Sequence, residues 1–250
     1  MEIGTFAVHW YGIMYLCAFL LALFLLPRLQ RYRSTVAIEK DQWSELLTLG
    51  VLGVLAGGRL GFVFFYEPLY FLQHPLDVFA VWKGGMSSHG GLIGVVFGVW
   101  LFCRKHRVPV LALADLIVVP AALGLALGRI GNFINLELYG SVTTLPWGIA
   151  IPGVEGLRHP TQLYAVAKDL AIAGICFSAL SRSSIAGFPT GMFFISYGVL
   201  RFLLEYLRVP SHETVNLAGV VVTRGQLLTI PLVVVGLLLV WAVAKRHRRV

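Results

Sequence analysis

The chain has 250 residues, 58% of them hydrophobic and 13% charged, with a mean hydropathy of +0.81. That apolar share exceeds the roughly 45–50% of soluble domains, and several runs approach the roughly 20 residues that cross a bilayer, which excludes an ordinary soluble globule. The net charge of +8 raises nucleic acid as a partner, but membrane chains collect Lys and Arg in cytoplasmic loops, so no nucleic acid is expected.

The predicted fold is an all-α polytopic membrane protein, one domain over 1–250 with about seven transmembrane helices. The N-terminus lies outside and the C-terminus is cytoplasmic, with polar outer-face loops forming the site. No basic region precedes the apolar run near Ala7 and no small-residue cleavage pattern follows, so the first span is expected to be retained. Span one covers about Ala7 to Leu26 and stops at Pro27-Arg28, before an inner segment bearing Arg31, Arg33 and Lys40. Span two, about Leu46 to Tyr66, holds Gly53, Gly57 and Gly61 at four-residue spacing, a face suited to close helix packing. An outer segment from Glu67 to His89 follows. Span three, Gly90 to about Cys103, repeats the device with Gly90, Gly94 and Gly98 and stops at Arg104-Lys105-His106-Arg107.

Span four, about Val110 to Gly128, delivers the polar stretch Arg129-Ile130-Gly131-Asn132-Phe133-Ile134-Asn135-Leu136-Glu137-Leu138-Tyr139-Gly140 to the outer face. Here Gly124 and Gly128 are expected in span packing, while Gly131 and Gly140 let backbone turn or approach a ligand. A longer outer loop reaches Pro160. Spans five, six and seven cover about Thr161 to Leu180, Ala186 to Leu207 and Gly225 to Ala244, before a basic tail from Lys245 to Arg249.

Twelve of the twenty Lys and Arg fall on inner loops and the tail, where orientation alone explains them. The other eight are Arg59, Lys83, Arg129, Arg158, Lys168, Arg201, Arg208 and Arg224. Six of them are arginines, whose planar fork grips phosphate at two points. Together they suggest an anion site at the outer leaflet. Tyr197, Arg201, Glu205 and Arg208 share one helix face by spacing. For Glu205 and Arg208 a buried ion-pair ladder is an equal alternative; for Arg201, deeper in the span, anion binding is favoured. Lys168 and Asp169 fall inside span five. Neighbours on a helix point about 100° apart, so each is expected to need a different partner.

His89 and His159 could each be structural, the latter orienting the entry to span five. Cys17, Cys103 and Cys176 sit in apolar runs as small hydrophobes, and no spacing suggests a metal, a cofactor or a disulfide framework. No P-loop, HExxH, Ser-His-Asp or CxxC signature occurs.

The stretch Gly128 to Gly140 resembles the signature of the prolipoprotein diacylglyceryl transferase family, bacterial inner-membrane enzymes. The resemblance extends through His9-Trp10-Tyr11-Gly12, Gly57-Gly58-Arg59-Leu60-Gly61, Gly84-Gly85-Met86-Ser87-Ser88-His89, Arg158-His159-Pro160-Thr161-Gln162-Leu163-Tyr164, Arg201-Phe202-Leu203-Leu204-Glu205-Tyr206 and Gly225-Gln226-Leu227-Leu228. Two positions depart from it: Leu136 stands where the family usually has glycine, and Ala165 where glutamate is usual.

The resemblance implies transfer of the diacylglyceryl group of phosphatidylglycerol to the lipobox cysteine of a prolipoprotein signal peptide. The site would face the outer side of the inner membrane. Arg129 and Arg201 would stabilise the phosphate as its charge grows, and His89 would be the base or a headgroup ligand. Tyr11, Arg59, Asn132, Asn135, Glu137, Gly140, His159, Tyr197, Glu205 and Arg208 would bind substrate. No cofactor is implied, and membrane lipid is both surroundings and substrate. A transporter or channel for an anionic solute and a non-catalytic lipid-binding scaffold are the competing readings. Neither paired broken helices nor an internal repeat is evident to favour transport.

Overall fold

A computed structural model describes residues 2–3, 6–7, 10–209, 214–217 and 220–247. His9, Arg248 and Arg249 lie outside the described residues, as do the side chains of Tyr11, Lys83 and Arg224. The long elements are helices α1 (Trp10–Leu29), α2 (Lys40–Phe65), α4 (Ser88–His106), α5 (Val110–Ile134), α6 (Thr161–Arg182), α7 (Phe188–Glu205) and α8 (Arg224–His247), with a short α3 (Pro68–Gln73). Two small antiparallel hairpins, β1–β2 (Glu2–Ile3 and Phe6–Ala7) and β3–β4 (Thr214–Leu217 and Val220–Thr223), are the strands among the described residues.

Five helical stretches are long and apolar enough to cross a membrane: Gly12–Tyr32, Lys40–Phe65, Val110–Ile134, Thr161–Arg182 and Gly225–His247. The chain is therefore a helical, multi-pass membrane protein. Helices α4 and α7, with 19 and 18 residues, are not among the five.

Several expected helix ends move. Helix α1 continues through Pro27 to Leu29, and α5 passes through both Pro120 and Gly128 to end at Ile134. Proline and glycine interrupt helices less in lipid, because no water competes for the remaining backbone bonds.

The residues form two compact units, Ser34–Leu113 and the rest. In the first, α2 and α4 pack through the two glycine faces read from the sequence. A Cβ on Gly61 would lie 2.8 Å from Gly90 Cα, and one on Gly98 would lie 2.7 Å from Leu49 O. Any side chain here would separate the backbones. Arg59, only 6% exposed, donates to the carbonyls of Asp77 (2.5 Å), Val78 (2.9 Å), Gly84 (2.6 Å) and Gly85 (3.1 Å). Its guanidinium thus braces the segment that leads into α4. There Ser87 caps the helix by accepting from Gly90 N (3.2 Å), which sets His89 in the first turn, exposed.

In the second unit Arg33 donates through Nε and Nη2 to Asp115 Oδ2 (3.0 and 2.9 Å). Asp115 also accepts from Gly187 N, Thr190 N and Thr190 Oγ1 at 2.7–3.1 Å. A buried ion pair repays its desolvation only with full hydrogen bonding, and this one has it. Arg33 therefore does more than orient the chain: it neutralises the Asp115 carboxylate that pins the start of α7 to α5. Helix α7 then packs on α8 through small residues, a Cβ on Gly236 falling 2.9 Å from Gly191 O.

Candidate active site

The site grows from the way α5 stops. Glu137 N donates to Asn132 O (3.0 Å) and Leu136 N to Phe133 O (3.1 Å), the paired bonds of a Schellman stop with Leu136 in the left-handed position at φ +56. That motif usually brings two apolar side chains together. Here it joins polar ones: Asn132 Nδ2 donates to Glu137 Oε1 (3.1 Å), as does Asn135 Nδ2 (3.2 Å). Arg129, one turn earlier, donates to Asn132 Oδ1 (3.3 Å). One helix end thus fixes four of the polar residues expected in the site.

Helix α6 holds the stretch from the other side. Gln162 Nε2 donates to Glu137 O (2.7 Å) and Thr161 Oγ1 to Leu138 O (2.9 Å). The other amide atom, Gln162 Oε1, is buried with no partner. A buried acceptor left open is costly, so it suits a ligand that donates. The loop between α5 and α6 is knitted rather than free, with Gly140 N donating to His159 O (2.8 Å) and Ser141 N to Leu207 O (3.0 Å). A Cβ on Gly140 would lie 2.5 Å from Leu207 O, so glycine is needed here for close approach. Tyr164 Oη joins the loop to α6, accepting from Trp147 Nε1 (2.7 Å) and lying 3.3 Å from His159 Nδ1.

From α7, Arg201 pairs with Glu205 Oε2 one turn on, and Arg208 Nη1 reaches the same oxygen at 3.7 Å just past the helix end. Thr223 Oγ1 donates to Glu205 Oε1 (3.3 Å). Thr223 and Gln226 also form a reciprocal capping box at the start of α8, with bonds of 3.0 and 3.2 Å. Burial first, then the Arg201 charge, holds the Arg208 guanidinium below its ordinary pKa.

These elements line a narrow, open cleft walled by Arg129, Lys168, Arg201 and Arg208, with Gln162 and Ala165 beside them. This cleft gathers three arginines and a lysine, a set of donors suited to an anion. It can hold a phosphate by two-pronged arginine contacts and strengthen that hold as negative charge builds.

A model of the family described as prolipoprotein diacylglyceryl transferase matches residues 1–242. The chain belongs to this family. It is 43% identical over 253 residues to the phosphatidylglycerol–prolipoprotein diacylglyceryl transferase of Nitrosospira multiformis, covering 97% of this chain and 85% of the relative. The enzyme of the same name from Nitrosomonas europaea is 42% identical over 245 residues, covering 97% and 88%. That of Bordetella parapertussis is 43% identical over 243 residues, covering 94% and 91%.

Of the residues expected to act in this transferase family, Arg129, Arg201 and Arg208 line the cleft. Asn132, Asn135 and Glu137 are bonded into its Arg129 side, and Glu205 holds two of its arginines. Tyr197 sits one turn before Arg201, its ring 4.4 Å from Lys168 Nζ. The ion-pair ladder Arg201–Glu205–Arg208 exists, and its two arginines line the cleft. Gly140 and His159 shape the loop by backbone contact. Tyr11 is the second residue of α1, and Arg59 and His89 belong to the Ser34–Leu113 unit.

Two sequence readings need correction. A Cβ on Gly128 would meet nothing within 4 Å, so this glycine is not a packing contact, whereas Gly131 is one, its Cβ position 3.2 Å from Met14 Cγ. Lys168 and Asp169 pair with each other after all. The lysine stem is long and flexible enough to curl back across the 100° between neighbours. Thr161, Gln162 and Lys168 are the polar cleft residues missing from the expected set. The signal for Lys168 was its charge inside an apolar run.

Proposed function

We propose that the protein transfers the diacylglyceryl group of phosphatidylglycerol to the thiol of the lipobox cysteine of prolipoproteins, the first step of bacterial lipoprotein maturation. The convergence of Arg129, Arg201 and Arg208 on one cleft carries this reading, together with family membership. The chain would cross the inner membrane seven times, N-terminus outside and C-terminus cytoplasmic, with the cleft toward the outer face.

In the reaction the substrate sulfur attacks the glyceryl CH2. A C–S bond forms, the C–O bond to phosphate breaks, and the electron pair leaves on glycerol phosphate. The donor phosphate is a monoanion and the departing monoester can carry a second charge. Arg129 and Arg201 lower the barrier by binding that second charge more tightly than the first. Asn132 and Tyr197 orient the headgroup, while Asn135, Glu137, Gly140, His159, Glu205 and Arg208 keep the cleft in shape around it. The thiol, with an ordinary pKa near 8.5, ionises more readily in an electropositive site. His89 takes the proton, histidine being the side chain suited to this at neutral pH. Tyr11 and Arg59 are proposed as further substrate-binding residues.

Purified protein incubated with phosphatidylglycerol vesicles and a lipobox peptide tests the proposal. Thioether-linked diacylglyceryl peptide and free glycerol phosphate are expected. Solute flux without product would favour a transporter, and peptide or lipid binding alone a scaffold; either refutes the enzyme.

A further inference from the structure

Lys168 and Asp169 are the two charges of the cleft region that this reaction does not use. Asp169 is 1% exposed and the Lys168 side chain 7%, and they pair directly. Consecutive residues of one helix cannot tie two elements together by pairing. Such a pair adds no tertiary link, yet both ions have left water at a cost of several kcal/mol each in general. Stability therefore does not account for it, and ionisable groups within membrane segments otherwise serve function.

The surroundings say which function. Lys168 lines the same cleft as Arg129, Arg201 and Arg208. Its ammonium lies 4.4 Å from the centre of the Tyr197 ring, whose face steadies a cation. Arg201 and Arg208 each give one nitrogen to Glu205 and Arg129 one to Asn132, so the phosphate meets donors already anchored on one side. An ammonium has three donors. One bond goes to Asp169, and the stem is free to swing as a fork is not.

We infer that Lys168 is a further binding residue for the phosphate, contacting it directly in the cleft, with Asp169 holding the ammonium in readiness. The inference deepens the proposed transferase activity and rests on it for the phosphate's identity. Lys168 adds a mobile point charge that closes on the glycerol phosphate product more strongly than on the lipid phosphodiester.

Direct binding separates this role from that activity. Glycerol 1-phosphate is titrated into the full-length protein in detergent free of phosphatidylglycerol, followed by calorimetry or 31P NMR. Lys168→Met is expected to weaken binding about tenfold or more, the loss of one charge-assisted hydrogen bond, and Lys168→Arg to recover most of it. Because Lys168→Met strands a buried carboxylate, the double variant Lys168→Met/Asp169→Asn is the decisive one. It removes both charges, and binding is expected to stay weak. Wild-type affinity in the double variant would overturn the inference, as would a wild-type protein that does not bind glycerol 1-phosphate. A wild-type protein that binds it but forms no thioether would instead overturn the transferase reading and leave Lys168 as a phosphate ligand.

Discussion

Asn132 and Glu137 hold each other twice, through the backbone bond that stops α5 (3.0 Å) and through the side-chain bond that faces their carboxamide and carboxylate (3.1 Å). The fold and the site are therefore one construction at this point: the stop that ends the helix also sets the group that bonds Arg129. Leu136 is its weak member. It sits at φ +56, where an L side chain costs about 1–2 kcal/mol, and glycine is the residue the position favours.

Leu136→Gly is accordingly expected to stabilise the protein. The gain is about 0.5–1 kcal/mol after the greater backbone entropy of unfolded glycine is subtracted. A higher thermal midpoint in detergent, with thioether formation unchanged or faster, is the expected result. An unchanged or lower midpoint would mean that contacts of the leucine side chain outweigh its backbone strain.

The arginine forks can be tested by lysine, which keeps charge and loses geometry. Arg129 has an amide for a partner and Arg201 a carboxylate. If both bind growing charge, each Lys variant should lose about 100-fold in kcat, the scale of one preorganised donor, with little change in KM for phosphatidylglycerol. A rise in KM alone would assign the lost contact to the ground state.

His89 is exposed in the first turn of α4, on a segment braced by Arg59. As the base it should contribute roughly 10²–10⁴-fold. His89→Gln is expected to lose that much at pH 7 and to regain part of it as the pH rises, because the peptide thiol then ionises unaided. Near-normal turnover at pH 7 would remove the base role and leave His89 as a headgroup ligand.

What could be read in advance depended on the range of the interaction. The glycine faces of α2 and α4 were legible because four-residue spacing is a local property of a helix; that they meet each other is visible only in the structure. Legible too was the grouping of Tyr197, Arg201 and Glu205. The end of α5 was not, because Gly128 is a poor stop signal in lipid while the true stop lies in a leucine. Arg33 read as a topology marker because its partner Asp115 is 82 residues away. Lys168 was misplaced for a different reason. Helical angles fix where Cβ atoms point, but the four-carbon stem of lysine decides where its charge ends up.

Glu205 is the carboxylate on which Arg201 and Arg208 both depend, and Gly225 is what gives it room. A Cβ at position 225 would lie 2.5 Å from Glu205 Oε1 and 2.9 Å from its Cδ. Gly225→Ala must therefore move the carboxylate or shift the start of α8, where overpacking generally costs about 1–3 kcal/mol. Displacing Glu205 weakens its hold on both arginines, so activity should fall about tenfold or more, with KM for phosphatidylglycerol rising as the cleft loses its shape. The Glu205→Gln variant, which keeps the space but drops the charge, separates the two effects. If the cleft needs the carboxylate in place, both variants lose activity. If Glu205→Gln is normal while Gly225→Ala is not, the loss belongs to the packing of α8 and not to the pairing of Glu205 with its arginines.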